Sequence, residues 1–360
     1  LHTIFYKLNT MSNTVRNYAG EAVELSNEPI ARGGEGAIYL VPSYQRAVVK
    51  IYHPDILNKR QMQLKNKIDL MSQHKQFESL KTNGNLTWPL FSVTDNNGNW
   101  LGYAMRKIEN GKGLNLLGHA KAYIKHFPNL TRSDVVDYLL DLTKTIKLLH
   151  AKKVMIGDYN PTNFLCFTNK VNDKKVAFID CDSWQIEVDN QKFYCPVSVP
   201  DMLPPELMNK QLENYPRTEQ SELFSFAILL FKILMLGRHP YDSVGGENPV
   251  SNIKKGYFPY GKDGGGIPVG KWYNVWSHLS FKIKDAMIDT FKDGTNNPSK
   301  RTPLKIWEEF LAIYKKEIAK NWHSNELVPG KAKSKKYNGS NSTSKSFVSI
   351  NTMNNNKKKS

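Results

Sequence analysis

Short apolar runs separated by turn residues dominate the first 110 residues, and this pattern predicts β-strands. The runs predict five strands, at 22–25, 37–41, 47–52, 90–94 and 100–108. Residues 95–99, Asp-Asn-Asn-Gly-Asn, are typical of a hairpin turn between the last two strands. Over 56–73 the apolar residues recur at helical spacing, which predicts a helix within this strand-rich part.

After Gly111 and Gly113, which mark a hinge or linker, the apolar spacing becomes that of helices. It predicts longer helices at 133–150, 220–237, 278–292 and 303–320. The sequence therefore predicts an α+β fold with a β-rich small lobe (N-lobe), a helical large lobe (C-lobe) and a cleft between them. The predicted divisions are an N-terminal extension at 1–20, the small lobe at 21–110, the large lobe at 111–325 and a disordered basic tail at 326–360.

The composition suits one large two-lobed domain, because 40% of the 360 residues are hydrophobic. The three cysteines, Cys166, Cys181 and Cys195, form no Cys-x-x-Cys pair, so we expect a reducing, cytoplasmic compartment. The apolar run at 223–236 is shorter than the roughly 20 residues of a membrane span, and it predicts a buried helix. Residues 1–20 lack a long apolar core, so no secretory signal and no transmembrane segment are expected.

The net charge of +17 is unevenly distributed along the chain. Residues 331–360 hold eight lysines and no Asp or Glu, in a Ser- and Asn-rich context that predicts disorder. This tail is either simply solvated or a weak electrostatic contact for acidic surfaces. No stacking aromatic pattern supports specific nucleic-acid recognition. No other pattern specifies a protein substrate or an oligomeric state.

Three polar residues in the large lobe have the order and spacing that phosphoryl transfer requires. Asp158 is followed by Asn163 and then by Asp180. One carboxylate can orient a hydroxyl, while an amide oxygen and a second carboxylate can hold magnesium against phosphate oxygens. Asp and Asn are also ordinary turn residues, so the three alone leave both interpretations open.

The small lobe supplies the partners that such a site needs. A glycine cluster, Gly33, Gly34 and Gly36, precedes a predicted strand and would let backbone N–H groups approach phosphate oxygens. Lys50 lies in the 47–52 strand between Val49 and Ile51, where it can reach phosphates across the cleft. The alternatives are a glycine-containing hairpin and an edge-strand lysine that blocks aggregation.

Taken together, these ordered motifs resemble the eukaryotic-like protein kinase superfamily over roughly residues 21–320. The Gly-Gly-Glu-Gly loop at 33–36 and the Ile-Asp-x-Asp-Ser segment at 179–183 are most similar to a divergent bacterial Ser/Thr kinase branch. The resemblance implies a bilobal protein-kinase-like fold that uses ATP with Mg²⁺, for which Mn²⁺ can substitute. It also implies that conventional activation-loop phosphorylation does not regulate the chain, because Gly157 replaces the usual arginine before Asp158.

The resemblance also assigns roles to individual residues. Catalysis would involve Asp158, Lys50 and Asn160, the last replacing a lysine, and the metal would be held by Asn163 and Asp180. The nucleotide site would comprise Gly33, Gly34, Gly36, Ile38, Val48, Lys50, Asp69, Met105, Ile108 and Leu165. Within that set, Met105 is the gatekeeper, Ile108 lies in the hinge, and Asp69 replaces the helix glutamate that pairs with the lysine. Asp182 is either a second metal ligand or a turn acceptor.

Two expectations concern structure rather than chemistry. Glu206, after Pro205, resembles the end of the activation segment and would pair with a buried Arg301. Glu222 lies where the family has an Asp that holds the catalytic-loop backbone.

Three functions fit this sequence. The first is an Mg-ATP-dependent protein kinase acting on Ser or Thr. The second is a small-molecule kinase of the aminoglycoside or choline type, and the third is a nucleotide-binding pseudokinase scaffold.

Overall fold

The computed structural model describes residues 13–168, 174–261, 266–268 and 270–333. Residues 1–12 of the predicted extension and 334–360 of the predicted tail lie outside the described residues.

A seven-stranded antiparallel sheet forms the small lobe. Its strands are β1 (Thr14–Arg16), β2 (Ala22–Glu24), β3 (Ala31–Arg32), β4 (Gly36–Leu40), β5 (Ala47–Tyr52), β6 (Pro89–Thr94) and β7 (Trp100–Arg106). They lie in the order β2-β1-β6-β7-β5-β4-β3, so β5 is an interior strand with β4 and β7 on either side. Because side chains alternate along a strand, Val48 joins the main core and Val49 joins a smaller cluster.

Helix α1 (Pro54–Gln73) packs against this sheet, and a shorter helix, α2 (Glu78–Lys81), follows it. Pro54 suits the first turn of α1, where its missing N–H needs no partner. The helix buries Leu64, Ile68 and Met71, which share the main core with strands β5 and β7.

The large lobe is mainly helical. Its helices are α3 (Leu114–Leu117), α4 (Ala122–His126), α5 (Arg132–Ala151), α6 (Glu219–Leu234), α7 (Pro249–Lys255), α8 (Trp272–Ser277), α9 (Phe281–Ile288), α10 (Gly294–Asn296) and α11 (Leu304–Ala319). Helix α5 begins with a capping box between Thr131 and Asp134, which satisfies free N–H groups of its first turn. Helix α6 is apolar on nearly every side and lies buried at the centre of the lobe.

Two small sheets line the cleft side of the large lobe. Their strands are β8 (Gly111–Gly113), β9 (Val154–Met155), β10 (Phe164–Phe167), β11 (Val176–Phe178), β12 (Gln185–Val188) and β13 (Gln191–Phe193). The orders are β11-β10-β8 and β13-β12-β9. The catalytic candidates lie in the turns that connect these strands.

The predicted α+β fold of two lobes is confirmed, and the five predicted strands and the helix at 56–73 are present with ends shifted by a few residues. The helix predicted at 278–292 is α9 followed by a π-helical turn, Asp289–Asp293. No helix among the described residues is long and apolar enough to cross a membrane.

Both ends of the ordered fold extend beyond the predicted divisions. Strand β1 lies within the predicted extension, yet it pairs with β2 and β6, and its Val15 is buried. At the other end, Arg132 donates a 2.6 Å hydrogen bond to the carbonyl of Leu327, which is buried. The described fold therefore extends past the tail boundary predicted at 326. Asn274 donates to the Pro329 and Gly330 carbonyls, and the Lys333 N–H donates to Ser277.

Candidate active site

The loop before Asp158 is held by a carboxylate from helix α6. Glu222 accepts hydrogen bonds from the backbone N–H groups of Ile156 (2.8 Å) and Gly157 (2.9 Å) and from the Tyr159 hydroxyl (2.9 Å). Glu222 is buried in the first turn of α6, so its charge also suits the positive end of the helix. This is the position expected of the loop-holding acid, and the prediction for Glu222 is confirmed.

Gly157 occupies a backbone conformation that explains the missing arginine. The N–H of Asp158 bonds the carbonyl of Ile156 at 2.8 Å, a tight turn centred on Gly157, whose φ is +71°. A Cβ at Gly157 would also lie 2.6 Å from the Cys195 sulfur. Any side chain here would combine strain with a collision.

A guanidinium from another element fills the space beside Gly157. Arg217 is almost fully buried, and its Nη2 donates to the Val197 carbonyl at 3.2 Å. Its Nε lies 3.2 Å from the point where a Cβ at Gly157 would be. The Nε and Nη1 atoms of Arg217 have no hydrogen-bond partner among the described residues. Sequence reasoning missed Arg217, which brings a cation to the place where the family arginine is absent.

Asp158 has one oxygen engaged and one unpartnered. Asn163 Nδ2 lies 3.2 Å from Asp158 Oδ2, while Oδ1 is buried without a partner among the described residues. Burial raises the pKa of Asp158 above its ordinary value, and hydrogen bonds from Asn160 N–H and the Asn163 amide oppose this shift. An unpartnered buried carboxylate oxygen is suited to accept a hydroxyl group.

Asn160 stabilises the loop locally. Its side-chain oxygen accepts from the backbone N–H of Thr162 at 3.1 Å and caps the 3₁₀ turn Pro161–Asn163. Among the described residues, no hydrogen bond joins its side chain to Asp158, so the structure gives it a capping role rather than a contact with the carboxylate.

Asn163 and Asp180 are brought together by the backbone. The N–H of Ile179 donates to the Asn163 carbonyl at 2.9 Å, which places Asp180 directly after this contact. Asp180 adopts a left-handed conformation, with φ 62° and ψ 36°, in the turn before Cys181–Ser183. This strained conformation at a non-glycine residue is typical of a functional site. The Asp180 side chain is 44% exposed and faces the cleft.

Lys50 is joined to two carboxylates of the same short segment. Its Nζ lies 2.7 Å from Asp182 Oδ2 and 3.1 Å from Asp180 Oδ1. Burial acts to lower the pKa of Lys50, but Asp182 and Asp180 outweigh it, so that the pKa is raised and the ammonium stays charged. Burial and the neighbouring Asp182 raise the pKa of Asp180, against the lowering effect of Lys50.

Asp182 is a buried anion with a complete set of donors. Besides Lys50, the hydroxyls of Tyr52 (2.5 Å) and Tyr103 (2.7 Å) donate to its carboxylate. Burial alone would raise the pKa of Asp182, but Lys50 and the two hydroxyls hold it well below the ordinary value. Neither role predicted for Asp182, second metal ligand or turn acceptor, is therefore correct. Its carboxylate instead accepts hydrogen bonds from these three side chains.

The prediction that Asp69 pairs with Lys50 is also wrong. Asp69 instead contacts Lys65 one turn earlier on α1 (2.6 Å) and the Ser92 hydroxyl (2.5 Å). The side chain that α1 directs to the cleft is that of Lys67, which is buried and donates to the Asp182 carbonyl at 2.6 Å. Burial lowers the pKa of Lys67 to about 8.

The glycine loop connects β3 to β4 beside α1. Gly33 N–H bonds the Gly36 carbonyl at 2.9 Å, and Glu35 in the loop pairs with Arg60 of α1 at 2.5 Å. A Cβ at Gly36 would lie 2.4 Å from the Ile51 carbonyl, so close strand packing requires this glycine. There is space around Gly33 and Gly34. A Cβ at Gly33 would contact only the Gly36 carbonyl, 3.8 Å away, and a Cβ at Gly34 would have no neighbour within 4 Å among the described residues.

The apolar candidates fall into two groups at the cleft. Val48 and Met105 are directly opposed across β5 and β7, and Ile38 packs against the same core from β4. Leu165 and Ile108 meet at Gly111, where a Cβ would lie 2.8 Å from Leu165 and 3.4 Å from Ile108. The first group comes from the small lobe and the second from the connection and the large lobe.

The large lobe also contains the predicted brace. Arg301 is buried, and its Nη1 and Nη2 donate to the two carboxylate oxygens of Glu206 at 2.5 and 2.8 Å. Its Nε donates to the Gly294 carbonyl at 2.8 Å. The predicted ion pair is confirmed.

Comparisons with known proteins agree with this architecture. No family model matches the chain. The chain is 27% identical over 229 residues to Protein kinase YegI of Escherichia coli K12, an alignment covering 62% of this chain and 33% of that protein. It is 26% identical over 168 residues to an Aurora kinase of Patiria pectinifera, covering 47% of this chain and 34% of that protein.

A mouse protein, Proto-oncogene tyrosine-protein kinase ROS, is 26% identical over 154 residues, which cover 41% of this chain and 6% of that protein. The matched region spans about a third of the length of the YegI and Aurora relatives. Together with the two-lobed α+β fold, these similarities support a protein-kinase-like superfamily for the chain.

Proposed function

We propose that this protein-kinase-like chain transfers the γ-phosphoryl group of ATP to Ser or Thr hydroxyls of a protein. The observation that carries the proposal is the convergence of Lys50, Asp158, Asn163 and Asp180. Contacts between Lys50 and Asp180 and between Asn163 and Asp158 form two pairs, and the hydrogen bond from Ile179 N–H to the Asn163 carbonyl joins the pairs. Positioning and charge stabilisation account for most catalysis of phosphoryl transfer, so this arrangement has the required parts.

Asn163 and Asp180 suit magnesium, because both offer oxygen ligands. Both side-chain hydrogen bonds of Asn163 are made by Nδ2, which leaves Oδ1 available, and Asp180 is partly exposed to the cleft. Among the described residues no group of three or more His, Cys, Asp or Glu could hold a metal. The side-chain oxygens of Asn163 and Asp180 would bind Mg²⁺, or Mn²⁺, whose other ligands would be water and phosphate oxygens. When bound, the ion would neutralise phosphate charge.

The nucleotide would bind between the glycine loop and the large lobe. Neither crowding nor a positive φ requires glycine at positions 33 and 34, so the open backbone there suits phosphate oxygens. Lys50 lies on β5 next to this loop and would contact phosphates. The Val48–Met105 pair on one side and Leu165 with Ile108 on the other would enclose the adenine.

Asp158 would orient the acceptor hydroxyl and receive its proton. Its unpartnered Oδ1 and its raised pKa support this role, because a carboxyl with a raised pKa accepts a proton more readily. Cationic help near Asp158 would come from Arg217 in place of the family arginine and lysine.

The partners found for Lys50 favour an active enzyme over a scaffold. The missing helix carboxylate is one of the departures, with those at the glycine, arginine and lysine positions, that favour the pseudokinase alternative. Asp182 supplies a carboxylate to Lys50 from another element. The braces at Glu222 and Arg301 favour a protein kinase over a small-molecule kinase. A cytoplasmic location and independence from activation-loop phosphorylation belong to the same proposal.

The test is incubation of the purified chain with magnesium and γ-labelled ATP, alone and with a generic basic protein. Asp158→Asn and Asp180→Ala are the inactivating variants, and Asp137→Asn, which removes an ion pair with Lys315 on the large lobe, is the matched control. We expect both cleft variants to reduce label on Ser or Thr at least ~100-fold and the control to retain it. Label on small alcohols or on tyrosine alone, or undiminished transfer by Asp180→Ala, would contradict the proposal.

A further inference from the structure

The two carboxylates that contact Lys50 occupy one 3₁₀ turn and differ in their surroundings. Asp180 stands at its start with a 44% exposed side chain, and Asp182 lies within it with a side chain only 1% exposed. One of them can therefore serve a ligand in the cleft, and the other can serve only protein groups.

Asp182 is held from three elements of the protein. Lys50 and Tyr52 reach its carboxylate from β5, Tyr103 reaches it from β7, and Lys67 of α1 reaches its backbone carbonyl. In the strand register Lys50 stands directly opposite Tyr103, so the donors form one layer beneath the sheet. This carboxylate cannot rotate toward a metal without leaving buried donors unpartnered.

Helix α1 contributes a cation to this layer. Lys67 and Lys50 are both buried; the carboxylates of Asp182 and Asp180 contact Lys50, and Lys67 donates to the Asp182 carbonyl. If Asp182 lost its charge, Asp180 would be the remaining carboxylate within contact of Lys50. Lys50, which already contacts Asp180 Oδ1 at 3.1 Å, would then depend on that carboxylate alone and compete with a metal for it.

We propose that Asp182 is a positioning residue that holds Lys50 in place of a helix carboxylate and so keeps Asp180 available to the metal. This inference rests on the proposed function. It also implies that the acid that pairs with Lys50 comes from the same 179–183 segment as Asp180. Helix α1 then need not supply an acid.

The test compares Asp182→Asn with the wild type and with the Asp137→Asn control. The first readout is the magnesium concentration that half-saturates phosphate transfer. The second is the affinity for ADP, which is measured by fluorescence with and without magnesium. We expect Asp182→Asn to raise the half-saturating magnesium concentration and to weaken magnesium-dependent ADP binding, each about tenfold. A residue that only stabilised the fold would change the melting temperature or kcat without changing the magnesium requirement.

Tyr103→Phe provides a second variant in case Asp182→Asn fails to fold. It removes one donor to the same carboxylate and keeps the charge, and it should raise the magnesium requirement about threefold. A requirement within twofold of the Asp137→Asn control for every folded variant overturns the inference. If the wild type binds ADP with magnesium but transfers no phosphate, the proposed function fails, and the ADP affinities still decide the role of Asp182.

Discussion

The two lobes hold their buried charged side chains with partners of different origin. In the large lobe, Arg301 pairs with Glu206 and Glu222 holds the loop at Gly157, as the sequence motifs predict. In the small lobe, the expected partner of Lys50 is a helix acid, but the structure supplies Asp182 from across the cleft. The large lobe thus keeps the expected scaffold for Asp158, while the lysine anchor is built from different residues.

This difference has a physical basis in the environment of each pair. Arg301 of the Glu206–Arg301 pair is buried and also donates to the Gly294 and Gln220 carbonyls, so the pair braces the large lobe. Lys50 must hold its position and remain able to contact a ligand. An acid on the metal segment can satisfy it as well as an acid on α1 can, provided that burial and donors fix that acid.

The largest expected effect on stability concerns the large-lobe pair. Glu206→Ala leaves the buried Arg301 charge without its carboxylate, and we expect a loss of about 3 kcal/mol in the free energy of unfolding. Urea unfolding would measure it. The control is Glu213→Ala, an exposed acid on a nearby loop, which should change the free energy by less than ~0.5 kcal/mol. Equal effects of the two variants would show that the brace contributes little.

Sequence reasoning succeeded where alternation specifies a strand or where the family resemblance specifies a residue. Alternation along the chain predicted β5 and β7, and motif order predicted Glu222 and Arg301. It failed at β1, whose three residues form too short a run, and at Leu327, whose contact with Arg132 joins distant parts of the chain.

The anchor of Lys50 was missed for a related reason. The family resemblance assigns the acid to α1 and to Asp69, but Lys67 rather than Asp69 reaches the 180–183 turn. Tyr52 lies two residues after Lys50 on the same face of β5, which was a usable indication of a buried polar layer. The pairing of Tyr103 with Lys50 requires the register of β5 and β7, which a single sequence does not specify.

A second prediction tests whether the stability of the large lobe depends on pH through a buried histidine, His239. His239 Nε2 lies 2.8 Å from the Asp201 carbonyl, and its Nδ1 accepts from Tyr241 N–H at 3.2 Å, an arrangement that requires the neutral ring. Burial lowers the pKa of His239 to about 4. Because the folded pKa is below the unfolded value of about 6.5, the unfolded state binds more protons in this window, and stability falls as pH decreases from 6.5 toward 4.

The effect should approach but not exceed ~3 kcal/mol across that window. Urea unfolding at pH 7.0, 6.0 and 5.0 would measure it for the wild type and for His239→Gln, which keeps a donor for the Asp201 carbonyl. We expect the variant to lose less stability between pH 7.0 and 5.0 than the wild type. Parallel pH dependences for the two proteins would assign the acid sensitivity to other groups.

The smallest expected effect sharpens the contrast at Lys50 itself. Asp69→Asn removes a partly exposed pair with Lys65 at i,i+4 spacing on α1, and such pairs contribute about 0.3–0.5 kcal/mol. Since Asp69 does not contact Lys50, we expect the KM for ATP to change by less than about twofold. Steady-state kinetics beside Asp182→Asn would measure this. If Asp69→Asn changed the KM for ATP as much as Asp182→Asn does, α1 would supply the acid during turnover. The buried Asp182 layer would then be a resting arrangement rather than the working one.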